Sequence, residues 1–116
     1  MSDDPRPRFQ EGESDDFYCD AVLTGRVEVE RVCETASVLA FHHTRPSYAA
    51  HVMVIPKRHV LSLLEADPAE LAEIMDVVQV VAAEVLEEYG ACGVVTNLGR
   101  YQESKHLHWH IVADAP

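Results

Sequence analysis

Cysteine is scarce in this chain, with three residues, Cys19, Cys33 and Cys92. An odd and sparse set does not build the disulfide framework of a small secreted protein, so a reducing, cytoplasmic setting is expected. Apolar residues nowhere run on for the roughly 18 positions that a bilayer span requires, and no membrane partner is expected. Basic residues are also few, 9 Lys and Arg against 20 Asp and Glu, for a formal net charge of -11. A field of that sign repels a polyanion and argues against a nucleic-acid partner. It does not exclude one small phosphate held locally by backbone N–H groups and imidazoles. The start of the chain is polar and acidic and lacks the basic residues and apolar run of a signal peptide. No internal repeat is present.

What the chain does have is enough apolar residue, 47% of 116 positions, to fill one core. Residues 1–14 are rich in Pro, Asp, Glu and Ser and read as a flexible arm; residues 15–116 read as one domain. A brief helix is expected within 15–25, ending at Gly25. Alternating apolar and charged residues over 26–32 predict a half-buried strand, and further strands are expected at 37–41 and 51–55, the last stopped by Pro56. Pro46 marks a loop between them. A long helix follows. Asp67 suits its N-cap, Pro68 its first position, Glu70 completes a capping box, and Gly90 stands where a glycine cap belongs. Leu71, Ile74, Met75, Val78, Ala82, Val85, Leu86 and Tyr89 keep the helical period. Strands are expected at 94–96 and 106–112, joined by a polar loop over 97–105. Short connections favour an antiparallel α+β sheet.

The segment His106-Leu107-His108-Trp109-His110-Ile111-Val112 holds three of the chain's seven histidines in five residues. In a strand, positions i, i+2 and i+4 share a face, so three imidazoles line one side while Leu107, Trp109 and Ile111 face the long helix. Three adjacent imidazoles depress one another's pKa, and at least one is expected to be neutral at pH 7. A neutral ring suits a nucleophile, a general base or a metal ligand, and the spacing alone serves catalysis and metal binding equally.

This segment matches all seven positions of the signature of the histidine triad family, His-φ-His-φ-His-φ-φ with φ apolar, and the chain resembles that family over about residues 16–112. Residues 37–42 are similar to its strand that contacts base and ribose. The run His51-Val52-Met53-Val54-Ile55-Pro56-Lys57-Arg58-His59 is similar to its Ile-Pro-Lys-x-His element. Asn97 and Gly99 match its Asn-x-Gly, and Gln102 lies four residues before His106. The resemblance implies an α+β fold with a five-stranded antiparallel sheet, one long helix and one short N-terminal helix. It implies a homodimer and an enzyme that binds a purine nucleotide. That enzyme would cleave at the α-phosphorus of nucleoside phosphoramidates or dinucleoside polyphosphates and require no cofactor for catalysis. His108 matches the nucleophile that forms a covalent nucleotidyl-histidine. His106, His110 and His51 match the residues that support it. Phe41, His42, His43, Asn97, Gln102, Ser104, His108 and His110 are the expected nucleotide contacts.

The pattern is also broken in places. His43 stands where an Asp often holds the ribose. The loop 97–105 is shorter than usual, with Tyr101 in place of a Gly and Glu103 in place of a Ser or Thr; Ser104 then offers a substitute hydroxyl, and Arg100 and Lys105 can offset the carboxylate. The chain ends soon after the triad, which suggests an open site. Relatives with a structural zinc match here at Asp16, Cys19, His59 and His106, an Asp, Cys, His, His set that zinc accepts; Cys33 and Cys92 are expected to be core thiols. The altered loop and ribose contact keep a second class open, a non-catalytic nucleotide- or metal-binding module with the same fold.

Overall fold

The computed structural model describes residues 18–115. The proposed arm at 1–14 and the proposed zinc ligand Asp16 lie outside the described residues. The elements are β1 (Arg31–Glu34), β2 (Val38–His42), β3 (Ala50–Pro56), α1 (Pro68–Tyr89), β4 (Gly93–Thr96) and β5 (Trp109–Ala113). The strands form one sheet in the order β1-β2-β3-β5-β4, and every neighbouring pair is antiparallel.

The long helix begins and ends where its capping residues put it. The Asp67 carboxylate accepts the Glu70 N–H at 2.8 Å, and the Glu70 carboxylate accepts the Asp67 N–H at 3.2 Å. These two bonds satisfy donors that the first helical turn leaves without partners. At the other end Gly90 takes φ 79° and donates its N–H to Leu86 O at 2.8 Å. That left-handed geometry costs a glycine little.

Strand alternation splits the interior into two clusters. Val38, Ala40, Val52, Val54, Leu107, Trp109 and Ile111 face the helix and meet Ile74, Val77, Val78, Val81 and Val85 there. Leu39, Phe41, Met53 and Ile55 face the other way and are covered by Tyr18, Ala21 and Val22. The sheet is therefore apolar on both faces near β2 and β3. Only toward β5 and the start of β3 does the second face turn to histidine.

Three expected boundaries shift. The first strand runs over Arg31–Glu34 with a register break between Arg31 and Cys33, and ahead of it Glu30 still accepts the His42 N–H at 2.9 Å. The short N-terminal helix is one turn, Tyr18–Val22, with a π-type bond from Leu23 N–H to Tyr18 O at 2.7 Å. Gly25, at φ 83°, follows it as expected. The last strand begins at Trp109 and not at His106, because Leu107 gives its N–H to Val60 O at 2.7 Å and so leaves the ladder.

Candidate active site

The register of β3 against β5 builds the site. Met53 pairs with His110 and His51 with Val112, so His51 and His110 lie diagonally on the face opposite the helix. Their rings approach to a 5.2 Å centroid separation, with His51 Nε2 and His110 Nδ1 2.9 Å apart. The backbone decides which nitrogen carries the hydrogen. Ser47 donates its N–H to His51 Nδ1 at 3.1 Å, so His51 carries its hydrogen on Nε2 and donates it to His110 Nδ1. His110, when neutral, then carries its own hydrogen on Nε2. This chain runs from a loop amide through two rings to a donor in the cleft.

His108 follows the opposite logic. Its Nδ1–H donates to the carbonyl of His106 at 2.7 Å, which leaves Nε2 as the lone-pair nitrogen. Its ring stands 5.1 Å from that of His110, nearly edge to face. Thr96, on edge strand β4, donates its hydroxyl to the His108 carbonyl at 2.8 Å and ties this segment to the sheet. The fourth imidazole is His43, whose Nδ1 accepts the Arg45 N–H at 2.9 Å. It stacks on His51 at 4.4 Å with the rings 30° apart.

All four rings are held neutral at pH 7. Burial is the main cause in each case. It lowers His108 from the ordinary 6.5 to about 4, against the raising effect of the bond to the His106 carbonyl, with smaller repulsions from His110, His106 and His43. His51 falls to about 4 through burial and then through His43 and His110. His43 falls to about 4 through burial and His110, and burial alone lowers His110. The consequence for stability has a definite sign. Unfolded imidazoles take up protons near 6.5, whereas folded His43, His51 and His108 do so only near 4 and His110 below its ordinary value, so between about 6.5 and 4 the unfolded chain binds more protons and stability rises with pH. The melting temperature is expected to fall by several degrees between about pH 6.5 and pH 4. A His51→Gln variant should lose part of that slope in a series of thermal melts, and an equal slope in the variant would contradict the assignment.

The rings open on a cleft of about 410 Å³. Of the residues expected from the sequence, His43, His51, Asn97, Ser104, His108 and His110 line it. Others do not. Phe41 is 1% exposed and packs 6.1 Å from Tyr18 in the core, so it is not a wall of the cleft. His42 is exposed and shares the strand side of Ala40, which faces the helix. Gln102 is buried and donates its side-chain N–H to Leu61 O at 2.6 Å, which pins the loop 97–105 to the segment after β3. Arg100 lies over the Tyr101 ring at 5.1 Å, and Lys105 donates to the Gln102 carbonyl at 2.8 Å; neither lines the cleft. Among the described lining residues there is no lysine or arginine, and Glu103 is the one carboxylate. Sequence reasoning missed Tyr18, Ser47, Tyr48 and Tyr101.

His106 belongs to a second group. It is fully buried, and its Nε2–H donates to Pro56 O at 2.8 Å, which makes Nδ1 the lone-pair nitrogen. That nitrogen lies 3.2 Å from Cys19 Sγ, and His59 Nδ1 lies 3.8 Å from the same sulfur. The donor atoms of these three residues all fall within 4.8 Å of one another. In tetrahedral zinc, bonds of about 2.3 Å to sulfur and about 2.0 Å to nitrogen put those atoms about 3.5 Å apart. The observed separations bracket that value. A carbonyl holding the far nitrogen of a ligating imidazole is also the usual outer support of such a ligand. The donor set fits zinc.

The fold and these two histidine groups define an α+β protein with a buried, neutral imidazole facing a cleft. The chain belongs to the HIT domain family, whose model matches residues 24–116. It is 34% identical over 100 residues to an uncharacterized HIT-like protein of Methanocaldococcus jannaschii, covering 83% of this chain and 76% of that one. It is 32% identical over 99 residues to an adenosine 5'-monophosphoramidase of Schizosaccharomyces pombe, covering 83% of this chain and 71% of the relative. Among solved structures it is similar to a hypothetical histidine triad nucleotide-binding protein from Sulfolobus tokodaii, with a TM-score of 0.77 and 30% identity over 84% of this chain and 68% of that one.

Proposed function

We propose that this chain hydrolyses nucleoside phosphoramidates at the α-phosphorus, with His108 as the nucleophile. The observation that carries the reading is the bond from His108 Nδ1–H to the His106 carbonyl, which leaves Nε2 as a neutral nucleophile on a ring that lines the cleft. Nε2 attacks phosphorus, the P–N bond breaks, and the departing nitrogen takes up a proton to leave as an amine. The ring becomes an N-nucleotidyl imidazolium whose charge is shared by Nδ1–H with the carbonyl. Water then attacks phosphorus, the imidazole leaves neutral, and the nucleoside monophosphate and one proton are released. The His110 Nε2–H, Ser104 and Asn97 supply neutral donors for the phosphoryl oxygens.

The charge of the cleft favours phosphoramidates over dinucleoside polyphosphates. Four neutral imidazoles, one carboxylate and no described lysine or arginine suit one phosphoryl group with a single negative charge. A polyphosphate bridge ordinarily meets cations. The phosphoramidase activity of the fission-yeast relative supports the same choice. Incubation with adenosine 5'-phosphoramidate is expected to release AMP faster than diadenosine tetraphosphate is cleaved. Tight AMP binding without any release would instead favour the non-catalytic module.

Zinc on Cys19, His59 and His106, with Asp16 as the fourth ligand, is part of the same proposal. Its chemistry there is structural, a tie between the N-terminal turn and the segment before β5. Protein purified without a histidine tag is expected to carry about one zinc per chain, and Cys19→Ser far less; under about a tenth of a zinc in the parent protein ends the idea. A homodimer is proposed too. Edge strand β4 has no neighbour on its outer side in the described chain and exposes Val94, and the helix exposes Val80 and Leu86. Light scattering should report twice the chain mass of 12.9 kDa. A single-chain mass at micromolar concentration would reject it. None of the three cysteines is joined in a disulfide, which suits a reducing, cytoplasmic compartment.

A further inference from the structure

Tyr18 has no part in the chemistry proposed above, yet it touches both histidine groups. It is 6% exposed, and its ring lies 5.0 Å from that of His108 and 5.8 Å from that of His106. The next residue is Cys19, whose sulfur meets His106 and His59. His106 in turn looks both ways. Its side chain joins the cysteine group, and its carbonyl holds His108 Nδ1 at 2.7 Å. Two short routes therefore run from the Cys19–His59–His106 cluster to the His108 ring. One passes through the His106 peptide and the other through the Tyr18 ring.

The two routes do different work. A single hydrogen bond fixes the tautomer of an imidazole but lets the ring pivot about that bond. A second ring packed against it at a tilt, as Tyr18 is at 50°, hinders the pivot. His108 also lines the cleft, so part of its ring borders open space where Tyr18 supplies the packed neighbour. Alignment matters to an attacking nitrogen, since a misplacement of about 1 Å can cost on the order of 100-fold in rate.

We propose that Tyr18 is a positioning residue for His108, seated by the Cys19–His59–His106 cluster, so that zinc in the cluster tightens the placement of the nucleophile. The proposal rests on the reading of His108 as nucleophile and of the cluster as a zinc site. Zinc would replace two non-covalent contacts of Cys19 by bonds and so anchor Tyr18, one residue away, against the triad.

The test uses the full chain with Tyr18→Ala, Tyr18→Leu and Tyr18→Phe. Its readouts are kcat and KM for adenosine 5'-phosphoramidate, zinc per chain, and the 15N imidazole spectrum of His108. Tyr18→Ala is expected to lose about 10- to 100-fold in kcat with KM within about threefold. It should keep its zinc and give a broadened or split His108 signal. Tyr18→Leu keeps apolar burial without the ring and should show the same pattern should the alanine variant fold poorly. Tyr18→Phe should recover to within about threefold of the parent. Chelating zinc from the parent should broaden the His108 signal, and chelation should add nothing in Tyr18→Ala. A kcat within about twofold in both the alanine and leucine variants overturns the proposal. So does a His108 spectrum in the parent that is indifferent to chelation. If the parent neither turns over substrate nor holds zinc, the hydrolase and zinc readings fail on those assays, and a His108 spectrum unchanged by Tyr18→Ala and Tyr18→Leu separately removes the positioning role.

Discussion

Replacing His108 by asparagine is expected to lower kcat by at least about 10⁴-fold while the Kd for AMP changes by less than about threefold. The asparagine side chain can still donate a hydrogen bond in the direction of the His106 carbonyl, so the local backbone has no reason to move. What it lacks is a basic nitrogen facing phosphorus. The donors offered by His110, Ser104 and Asn97 are untouched, and binding should survive. Rapid-quench kinetics on the parent should also detect a nucleotidyl-protein adduct under mildly alkaline denaturing conditions, and the variant should form none. Turnover within tenfold of the parent, or an adduct that persists in the variant, would transfer the nucleophile's role elsewhere. His110 could not inherit it through Nδ1, which accepts the hydrogen of His51.

The second large effect concerns Phe41. The family pattern makes this residue a cover for the purine, and the structure puts it in the core, 1% exposed beside Tyr18, Leu39, Met53 and Ile55. Phe41→Ala is therefore expected to cost about 3–5 kcal/mol of stability through lost burial and a cavity. That corresponds to a fall in melting temperature of roughly 12–20 °C for a domain of this size. Phe41→Leu refills most of the space and should cost about 1.5 kcal/mol or less. The leucine variant separates the two roles, because it folds well enough to assay. Its KM for adenosine 5'-phosphoramidate should stay within about threefold of the parent. A tenfold rise in KM with little loss of stability would return Phe41 to the nucleobase.

Much of the fold was legible in local signals. The helix was readable because each of its end signals is a one-residue device, an Asp that caps, a Pro without a donor and a Gly that tolerates positive φ. The central strands were readable because their apolar residues are continuous and end at Pro56. The β1 boundary was not, since the register break near Arg31 arises from pairing with β2 and leaves no mark in the alternation. The site divides in the same way. His108, His110 and His51 were found by spacing and motif, because a strand converts a period of two into a shared face. Ser47 and Tyr18 were not, since a backbone donor and a packed ring act through space and carry no motif. Gln102 marks the converse limit, since a motif gives its place in the chain while only the fold shows its side chain donating to Leu61 O.

The residue pattern alone determines that the terminal segment must show histidine on one face and apolar groups on the other, because side chains alternate along any extended backbone. It also determines where the helix begins and stops. Only the tertiary structure decides what each imidazole is for. His106 and His108 differ by two residues and are both buried, yet one turns its lone pair to a thiol and the other carries its lone pair on a ring at the edge of a cleft. The difference is made by which carbonyl each ring meets, Pro56 for one and His106 for the other. Tautomer and role thus follow from contacts between distant parts of the chain.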